Sequence, residues 1–238
     1  MVTADCASEI GTRAERPALE NKIRVLIADD HAVVRQGLRA LLELESGCTV
    51  CGEASSGREA VQMALKLKPD VAILDVSMPS LNGLEAARQI RKTGAKTEIL
   101  VLTMHESEQL AHALLSAGVL GYVLKSDVPR DLANGVESVY HRRPFFTSKV
   151  ARMVLSGFLK NAGEKQTDGA AAPFSLTPRE REIVQLLAEG KSNKEVACIL
   201  DVSLKTAETH RANLMRKLGL HSVSDLVHYA VRNQIIEV

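Results

Sequence analysis

The sequence predicts a two-domain protein, in which an α/β domain with a five-stranded parallel sheet is followed by a smaller all-α domain. Between residues 23 and 141, short apolar runs alternate with amphipathic stretches of helical period. This alternation is typical of a parallel sheet covered by helices on both faces. Polar side chains follow several of the apolar runs, where a strand would end. After residue 174 only helical periodicity remains.

The elements of the first domain follow from the spacing of apolar residues and from the residues that interrupt it. The predicted strands are 23–28, 48–54, 71–75, 98–103 and 119–123, and the predicted helices are 33–45, 57–67, 83–93, 107–117 and 129–141. Pro69, Pro79 and Pro129 fall at element boundaries, where a missing backbone N–H is tolerated. We therefore expect five successive strand–helix units.

The rest of the chain divides into a leader, a connection and a helical domain. Residues 1–20 are polar and charged and predict a disordered leader, which places the first domain at 21–141. Residues 145–160 predict one more helix, and the small polar residues after it predict a flexible linker, so that 142–173 form the connection. The helical domain is then 174–238.

The helical domain carries the pattern of a helix-turn-helix unit. Thr177 to Glu180 form a capping-box sequence with proline at the first helical position, and this helix is expected to stop at Gly190. A second helix begins after Ser192, and a short turn at Asp201 leads to a third helix over 204–218. A fourth begins near residue 222. Two helices joined by a tight turn are typical of DNA-binding proteins.

Composition excludes several classes of protein. The chain has 238 residues and a formal net charge of +1, so binding to nucleic acid must depend on a local basic patch. Aromatic residues make up 3% of the chain and Trp is absent, which argues against stacking on single strands. No apolar stretch has membrane-spanning length and no secretion signal is evident, so we expect a cytoplasmic protein without a membrane partner.

Polar residues at four predicted strand ends indicate a phosphoryl-accepting site. Asp29 and Asp30 follow the first strand, Asp75 ends the third, Thr103 ends the fourth, and Lys125 follows the fifth. The carboxyl ends of parallel strands meet at one edge of a sheet, where such folds bind ligands. Three converging carboxylates would repel each other unless a cation lay between them, and Mg²⁺ prefers oxygen ligands.

These residues resemble the receiver domain of bacterial two-component response regulators. The resemblance covers 23–141 and implies a flavodoxin-like sheet of order 2-1-3-4-5, with Asp75 as the phosphoacceptor. It implies a Mg²⁺ site formed by Asp29, Asp30, Asp75 and the backbone carbonyl of Ser77. It also implies that Thr103 and Lys125 contact the phosphoryl group, and that Thr103 and Tyr122 form a switch in which Tyr122 turns inward.

Residues 174–238 resemble the LuxR-type helix-turn-helix output domain, on the segments 176–180, 191–197 and 205–210. The whole chain therefore resembles a NarL/FixJ-type response regulator, whose last helix also forms a dimer seam. The implied base contacts are Glu208, Thr209, Arg211 and Ala212; the implied phosphate contacts are Lys191, Lys194, Lys205, Thr206 and Arg216. Asn193 and His210 are further expected members of the DNA interface.

The resemblance implies a phosphorylation-dependent transcriptional regulator and not an enzyme. The expected partners are a sensor histidine kinase, double-stranded promoter DNA and, after phosphorylation, a second copy of the chain; RNA polymerase is a further candidate. A regulator that dimerises without phosphorylation is the main alternative, although an intact acidic pocket with Lys125 argues against it. A phosphatase using Asp75 is a weaker alternative, because such enzymes carry a second acid where this chain has Ser77.

Overall fold

The computed structural model describes residues 22–44, 47–104, 107–147, 150–152, 176–233 and 235–236. The predicted leader and the predicted flexible linker lie outside the described residues. Among the described residues, no helix combines the length and the apolar character that crossing a membrane requires.

The first domain contains a six-stranded parallel sheet of order β2-β1-β3-β4-β5-β6. Its strands are β1 (Ile23–Ala28), β2 (Cys48–Ala54), β3 (Val71–Asp75), β4 (Glu98–Thr103), β5 (Gly121–Leu124) and β6 (Phe145–Phe146). The helices are α1 (Ala32–Leu44), α2 (Gly57–Leu67), α3 (Gly83–Lys92), α4 (Glu108–Ser116) and α5 (Val128–Tyr140). The predicted fold class and the predicted order of the first five strands are confirmed.

The sixth strand differs from the prediction, which assigned residues 145–160 to a helix. Arg142 adopts a left-handed conformation with φ of 58°, and the chain then returns along the edge of the sheet. The Phe145 amide donates to the Leu120 carbonyl at 2.9 Å, and β6 pairs with β5. Helical residues appear only at 150–152 within the described part of this segment. Two residues are too few to produce a strand pattern in the sequence.

The sheet is covered on both faces, so the central strand β3 is buried along its whole length. On one face, Leu26 and Leu74 pack with residues of α2, α3 and α4. On the other, Ile27 and Ile73 pack with residues of α1 and α5. Each fully buried Leu or Ile contributes about 1.5–3 kcal/mol to folding. This rigid sheet positions the side chains at its carboxyl edge.

The second domain is a four-helix unit with its own core, formed by α6 (Pro178–Ala188), α7 (Asn193–Leu200), α8 (Leu204–Leu218) and α9 (Val223–Arg232). The predicted capping box at Thr177 is confirmed, and Ser192 and Ser222 begin α7 and α9 in the same way. Asp201 ends α7 with φ of 54°, and Ser203 caps α8. α7, this turn and α8 form the predicted helix-turn-helix.

Candidate functional site

The acidic pocket lies at the carboxyl edge of the sheet. Lys125 Nζ is 2.7 Å from Asp29 Oδ2 and 2.8 Å from Asp75 Oδ2. Both aspartates are buried, and Lys125 is largely buried. The ammonium group therefore bridges two carboxylates that water scarcely reaches, and the structure brings together three of the residues that were predicted from separate strands.

The sheet register explains why these residues meet. Ala28 lies opposite Leu74 on the neighbouring strand, so Asp29 and Asp75 follow at the same level. Asp75 lies opposite Leu102, which places Thr103 one residue further along β4. Thr103 lies opposite Leu124, and Lys125 comes next in the chain. Residues from distant parts of the sequence thus share one end of the sheet.

Asp30 and His31 form the outer rim of the pocket. His31 Nδ1 lies 2.9 Å from Asp30 Oδ1 and 3.4 Å from Asp29 Oδ1, and the His31 amide donates to Asp29 at 2.8 Å. The ligand atoms of these three residues all lie within 4.8 Å of one another. Asp30 is partly exposed, so this side of the pocket is open to a cation from solvent.

Burial and the charge of Lys125 shift the pKa of Asp75 in opposite directions. Burial raises the pKa of Asp75, the hydrogen bond and charge of Lys125 oppose that rise, and the charge of Asp29 adds to it. Burial alone would lower the pKa of Lys125, but its hydrogen bonds to Asp29 and Asp75 and their charges raise it overall. The lysine therefore stays charged.

The donor set fits a hard divalent cation. The carboxylate oxygens of Asp29 and Asp30 lie close together and are donors of the kind that Mg²⁺ prefers. Asp75 and the Ser77 carbonyl stay predicted ligands. Receiver domains in general bind Mg²⁺ through such acidic residues. A divalent ion held by these groups would neutralise charge on a phosphoryl group that is being transferred.

The two predicted switch residues are both buried. Thr103 and Tyr122 are each 1% exposed, and the Tyr122 ring packs in the core cluster between the sheet and α2, α3 and α4. The switch role of Thr103 and Tyr122 stays a prediction. Any switch at this position would begin from the buried ring.

The loop after Asp75 depends on a glycine at the start of α3. A Cβ atom on Gly83 would lie 2.1 Å from the Asp75 carbonyl oxygen, which is far closer than two such atoms can approach. The Gly83 amide donates to the Val76 carbonyl at 2.9 Å, so α3 begins directly against the strand that carries the phosphoacceptor candidate.

We expect Gly83→Ala to destabilise the first domain by about 1–3 kcal/mol, because backbone of β3 or α3 must move to make room. The matched control is Gly37→Ala in the middle of α1, where nothing lies within 4 Å of the new methyl group. Alanine should stabilise that helix by roughly 0.5–1 kcal/mol. Urea denaturation followed by circular dichroism measures both changes, and equal effects from the two substitutions would contradict the close approach.

The predicted DNA-contacting residues lie on α8 and at the start of α7. Those on α8 that are exposed include Lys205, Thr206, Glu208, Thr209 and Ala212. Ala207, between them, is buried at 2% exposure, so α8 presents one face to the core and the opposite face to solvent. The predicted placement of Glu208, Thr209 and Ala212 on the outer face agrees with this geometry. Lys194 and Arg216 are also exposed, and Lys191 is half-buried.

Several of the predicted contact residues have protein partners or are partly buried. Arg211 is half-buried and its Nη1 donates to Asn193 Oδ1 at 3.2 Å, which ties α8 to α7. The Thr209 hydroxyl donates to the Lys205 carbonyl at 2.8 Å, so its oxygen remains available as an acceptor. His210 is half-buried. Arg211 thus lies at the edge of the exposed face.

Comparison with known proteins agrees with this architecture. Residues 25–137 match the response regulator receiver domain family, and 174–230 match the family described as bacterial regulatory proteins, luxR family. The chain is 39% identical over 214 residues to the transcriptional regulatory protein LiaR of Bacillus subtilis, covering 90% of this chain and 99% of LiaR. The chain belongs to the two-component response regulators with a LuxR-type DNA-binding domain.

Further relatives agree with this membership. The oxygen regulatory protein NreC of Staphylococcus epidermidis is 37% identical over 217 residues, covering 90% of this chain and all of NreC. Among solved structures, RcsB of Salmonella enterica serovar Typhimurium, bound to promoter rprA in the presence of the phosphomimetic BeF3-, has a TM-score of 0.57 and 30% identity. The match covers 88% of this chain and 98% of the RcsB chain. Another structure contains two RcsB dimers on two parallel DNAs, with a TM-score of 0.53, 29% identity and the same coverage.

In this response regulator, the receiver and the output domain are in contact, which the sequence did not predict. Gln185 of α6 lies against the loop that follows Asp75, and Glu189 follows it at the end of the helix. Glu182, on the same helix, pairs with Arg58 of the receiver. The polar residues at 182, 185 and 189 recur at helical spacing and form one stripe on α6. That spacing was the available signal, but it does not tell which surface the stripe contacts.

Proposed function

We propose that this response regulator accepts a phosphoryl group on Asp75 from a sensor histidine kinase, and that phosphorylation controls its binding to promoter DNA through α8. The observation that carries the proposal is the pair of short contacts from Lys125 Nζ to Asp29 and Asp75. A buried carboxylate held beside an ammonium group at an open sheet edge is suited to nucleophilic attack on phosphorus.

In the proposed transfer, a carboxylate oxygen of Asp75 attacks the phosphorus of a phosphohistidine on the kinase. A P–O bond forms, the P–N bond breaks, and the electron pair of that bond remains on the histidine nitrogen. The product is an acyl phosphate on Asp75. Lys125 stays protonated and shifts its hydrogen bond from the carboxylate towards the phosphoryl oxygens, and the Thr103 hydroxyl donates to another. Catalysis of this kind depends on positioning and charge compensation.

The alternative of a regulator that ignores phosphorylation explains the output domain equally well but not the receiver pocket. Burying two carboxylates beside an ammonium group costs desolvation free energy that an apolar site would avoid. A domain used only for dimerisation has no need of that arrangement. The pocket therefore favours phosphoryl chemistry over dimerisation alone.

DNA binding is proposed to follow the geometry of the helix-turn-helix. The N-terminal half of α8 enters the major groove, where Glu208, Thr209 and Ala212 face base edges. Lys205, Thr206 and the lysines near the start of α7 approach phosphates. Two copies, paired after phosphorylation, then bind two half-sites, in line with the DNA-bound RcsB dimers. A sensor kinase, promoter DNA and a second copy are the proposed partners.

Incubation of the full chain with acetyl phosphate and Mg²⁺ tests the proposed acceptor chemistry. We expect one phosphoryl group per chain by intact mass, lost in alkali as an acyl phosphate would be, and dependent on Mg²⁺. Sustained release of inorganic phosphate without accumulation of the phosphorylated chain would instead indicate the phosphatase alternative.

Two substitutions separate phosphate contacts from base contacts on α8. Lys205→Ala should weaken binding to every duplex and lower the slope of log K against log salt by about one unit, since one fewer counterion is displaced. Thr209→Ala should cost on the order of 1 kcal/mol at one base pair and leave the slope nearly unchanged. Salt titrations against a selected duplex and a random duplex measure both. If both variants bind like the unaltered protein, α8 does not enter the groove.

A further inference from the structure

We propose that the output domain restrains its own receiver: Gln185 and Glu189 of α6 act as positioning residues that hold the loop after Asp75 and slow its phosphorylation. This inference rests on the proposed role of Asp75. The outer face of α8 is exposed in the same structure, so the contact between the domains does not cover the DNA-binding helix. We therefore infer that the contact acts on the receiver instead.

We call Gln185 and Glu189 together the clamp. They form hydrogen bonds to the backbone of residues 78–82 in the loop after Asp75. Gln185 Oε1 accepts from the Asn82 amide at 2.9 Å, and Gln185 Nε2 donates to the Met78 carbonyl at 2.8 Å. Glu189 accepts from the Ser80 amide at 3.1 and 3.2 Å. Gln185 Nε2 also donates to Glu189 Oε1 at 2.8 Å, which couples the two side chains.

The clamp is built into a buried interface. Gln185 is 2% exposed and Asn82 is 4% exposed, so an unpaired amide there would cost about 1–3 kcal/mol. Beside it, the buried Glu182 pairs with Arg58 of the receiver and Arg181 of α6 pairs with the buried Glu85 of the receiver. These ionic contacts cross between the domains in both directions and fix where α6 rests.

The clamped segment borders the acceptor site. It begins directly after Ser77, whose carbonyl is a proposed metal ligand, and it ends at Asn82, which caps α3 beside the Gly83–Asp75 contact. Ser80 holds a left-handed conformation with φ of 67°, which few residues adopt freely. Because both ends and the middle of the loop are bonded to α6, a shift of Ser77 towards a cation or an incoming group must break these bonds.

The output domain also lines the approach to the pocket. A cavity of about 360 Å³ has Asp30 and Ser77 on its receiver side. Its other wall includes Gln185, Glu189, Val227 and Ile235. The Glu189 carboxylate therefore adds negative charge to a cavity that already contains Asp30. Charge and crowding both oppose the approach of an anionic phosphodonor, so release of α6 should favour phosphorylation.

The coupling must act in both directions. If docking of α6 disfavours the phosphorylated form of Asp75 at equilibrium, phosphorylation must weaken the docking by the same factor. A coupling of this kind is typically between about fivefold and 150-fold. The phosphorylated chain should therefore expose the Ser80 and Asn82 amides that the clamp protects.

The test compares the full-length chain with the variant Gln185→Ala/Glu189→Ala, using acetyl phosphate and Mg²⁺. We expect the initial rate of labelling to rise at least about fivefold. Hydrogen exchange at the Ser80 and Asn82 amides, resolved by NMR or fragment mass spectrometry, should become faster in the variant. Glu137→Ala, at an exposed position of α5, is the control and should match the unaltered chain in both measurements.

Two single variants at Glu189 change less of the buried interface than the double variant does. They also separate the effect of the hydrogen bond on labelling from the effect of the charge. Glu189→Ala removes a half-buried side chain at the end of α6 and should speed both labelling and Ser80 exchange. Glu189→Gln keeps an acceptor for the Ser80 amide but removes the charge. Protection of the Ser80 amide should therefore return, and the labelling rate should fall between those of the unaltered chain and Glu189→Ala. Labelling of Glu189→Gln as fast as Glu189→Ala would assign the effect to charge alone and overturn the clamp.

The remaining outcomes are distinct. Labelling of the double variant within twofold of the unaltered chain would overturn the inference and leave Asp75 as the acceptor. Unchanged exchange at Ser80 and Asn82 would also overturn it, because the clamp would then be absent in solution. If the unaltered chain takes up no phosphoryl group, the proposed function fails and this inference fails with it.

Discussion

Asp75→Asn is expected to abolish phosphorylation by acetyl phosphate and any phosphorylation-dependent rise in DNA affinity. The amide keeps the size and shape of the side chain, but its oxygen is a far weaker nucleophile than a carboxylate. Lys125 would keep its contact with Asp29, so the receiver should remain folded. The loss should therefore appear in chemistry and signalling, with little change in circular dichroism.

The measurement is phosphoryl incorporation by intact mass over a time course, with a DNA-binding titration before and after treatment. Glu137→Gln, an exposed acid-to-amide change on α5, is the matched control and should label normally. If the Asp75→Asn variant takes up label at the level of the unaltered chain, the acceptor is another residue. Phosphorylation-independent DNA binding with normal labelling of the unaltered chain would favour the dimerisation alternative.

Lys125→Met is expected to lower the free energy of unfolding of the receiver by about 3–5 kcal/mol near neutral pH without Mg²⁺. The ammonium group is the cation that bridges the buried carboxylates of Asp29 and Asp75. Methionine fills similar space without charge, so both carboxylates would remain buried without compensation. Lys92→Met, at an exposed position of α3, is the control and should change stability by less than about 0.5 kcal/mol.

The pH dependence of Lys125→Met checks the cause. Burial already raises the pKa of Asp75, and without Lys125 its hydrogen bond and charge no longer oppose this rise. A carboxyl whose pKa is higher in the folded than in the unfolded state binds its proton more tightly when folded. Stability should therefore be recovered as the pH falls through the raised pKa and lost again as the pH rises. A deficit that does not change with pH would assign the effect to packing.

The fold and the acidic pocket were largely predictable, because each strand carries its own apolar run and several end in polar residues. Asp29, Asp75 and Lys125 could be assigned to one edge since parallel strands fix where their ends meet. The output helices were equally clear, as Thr177 and Ser192 begin them with capping boxes. In these places local sequence and tertiary structure agree.

The parts that escaped prediction depend on contacts between distant segments. Phe145 and Phe146 form a strand only because β5 offers a free edge after the turn at Arg142. Gln185 and Glu189 have the composition of an ordinary solvent-facing stripe, and only the docked loop gives them a partner. Every residue type except proline has a backbone amide, so the sequence does not show that these side chains bind the amides of the loop.

The exposed outer face of α8 has a consequence for how the regulator distinguishes sites on DNA. If α8 binds DNA as proposed, each copy can engage one half-site without first uncovering its helix, so a single half-site should respond little to phosphorylation. Pairing converts the second binding event into an intramolecular one, and the effective concentration gained in this way can raise affinity by about 100-fold to 10,000-fold. Operators should therefore be selected by the spacing between half-sites, near one helical turn of DNA, as much as by their base sequence.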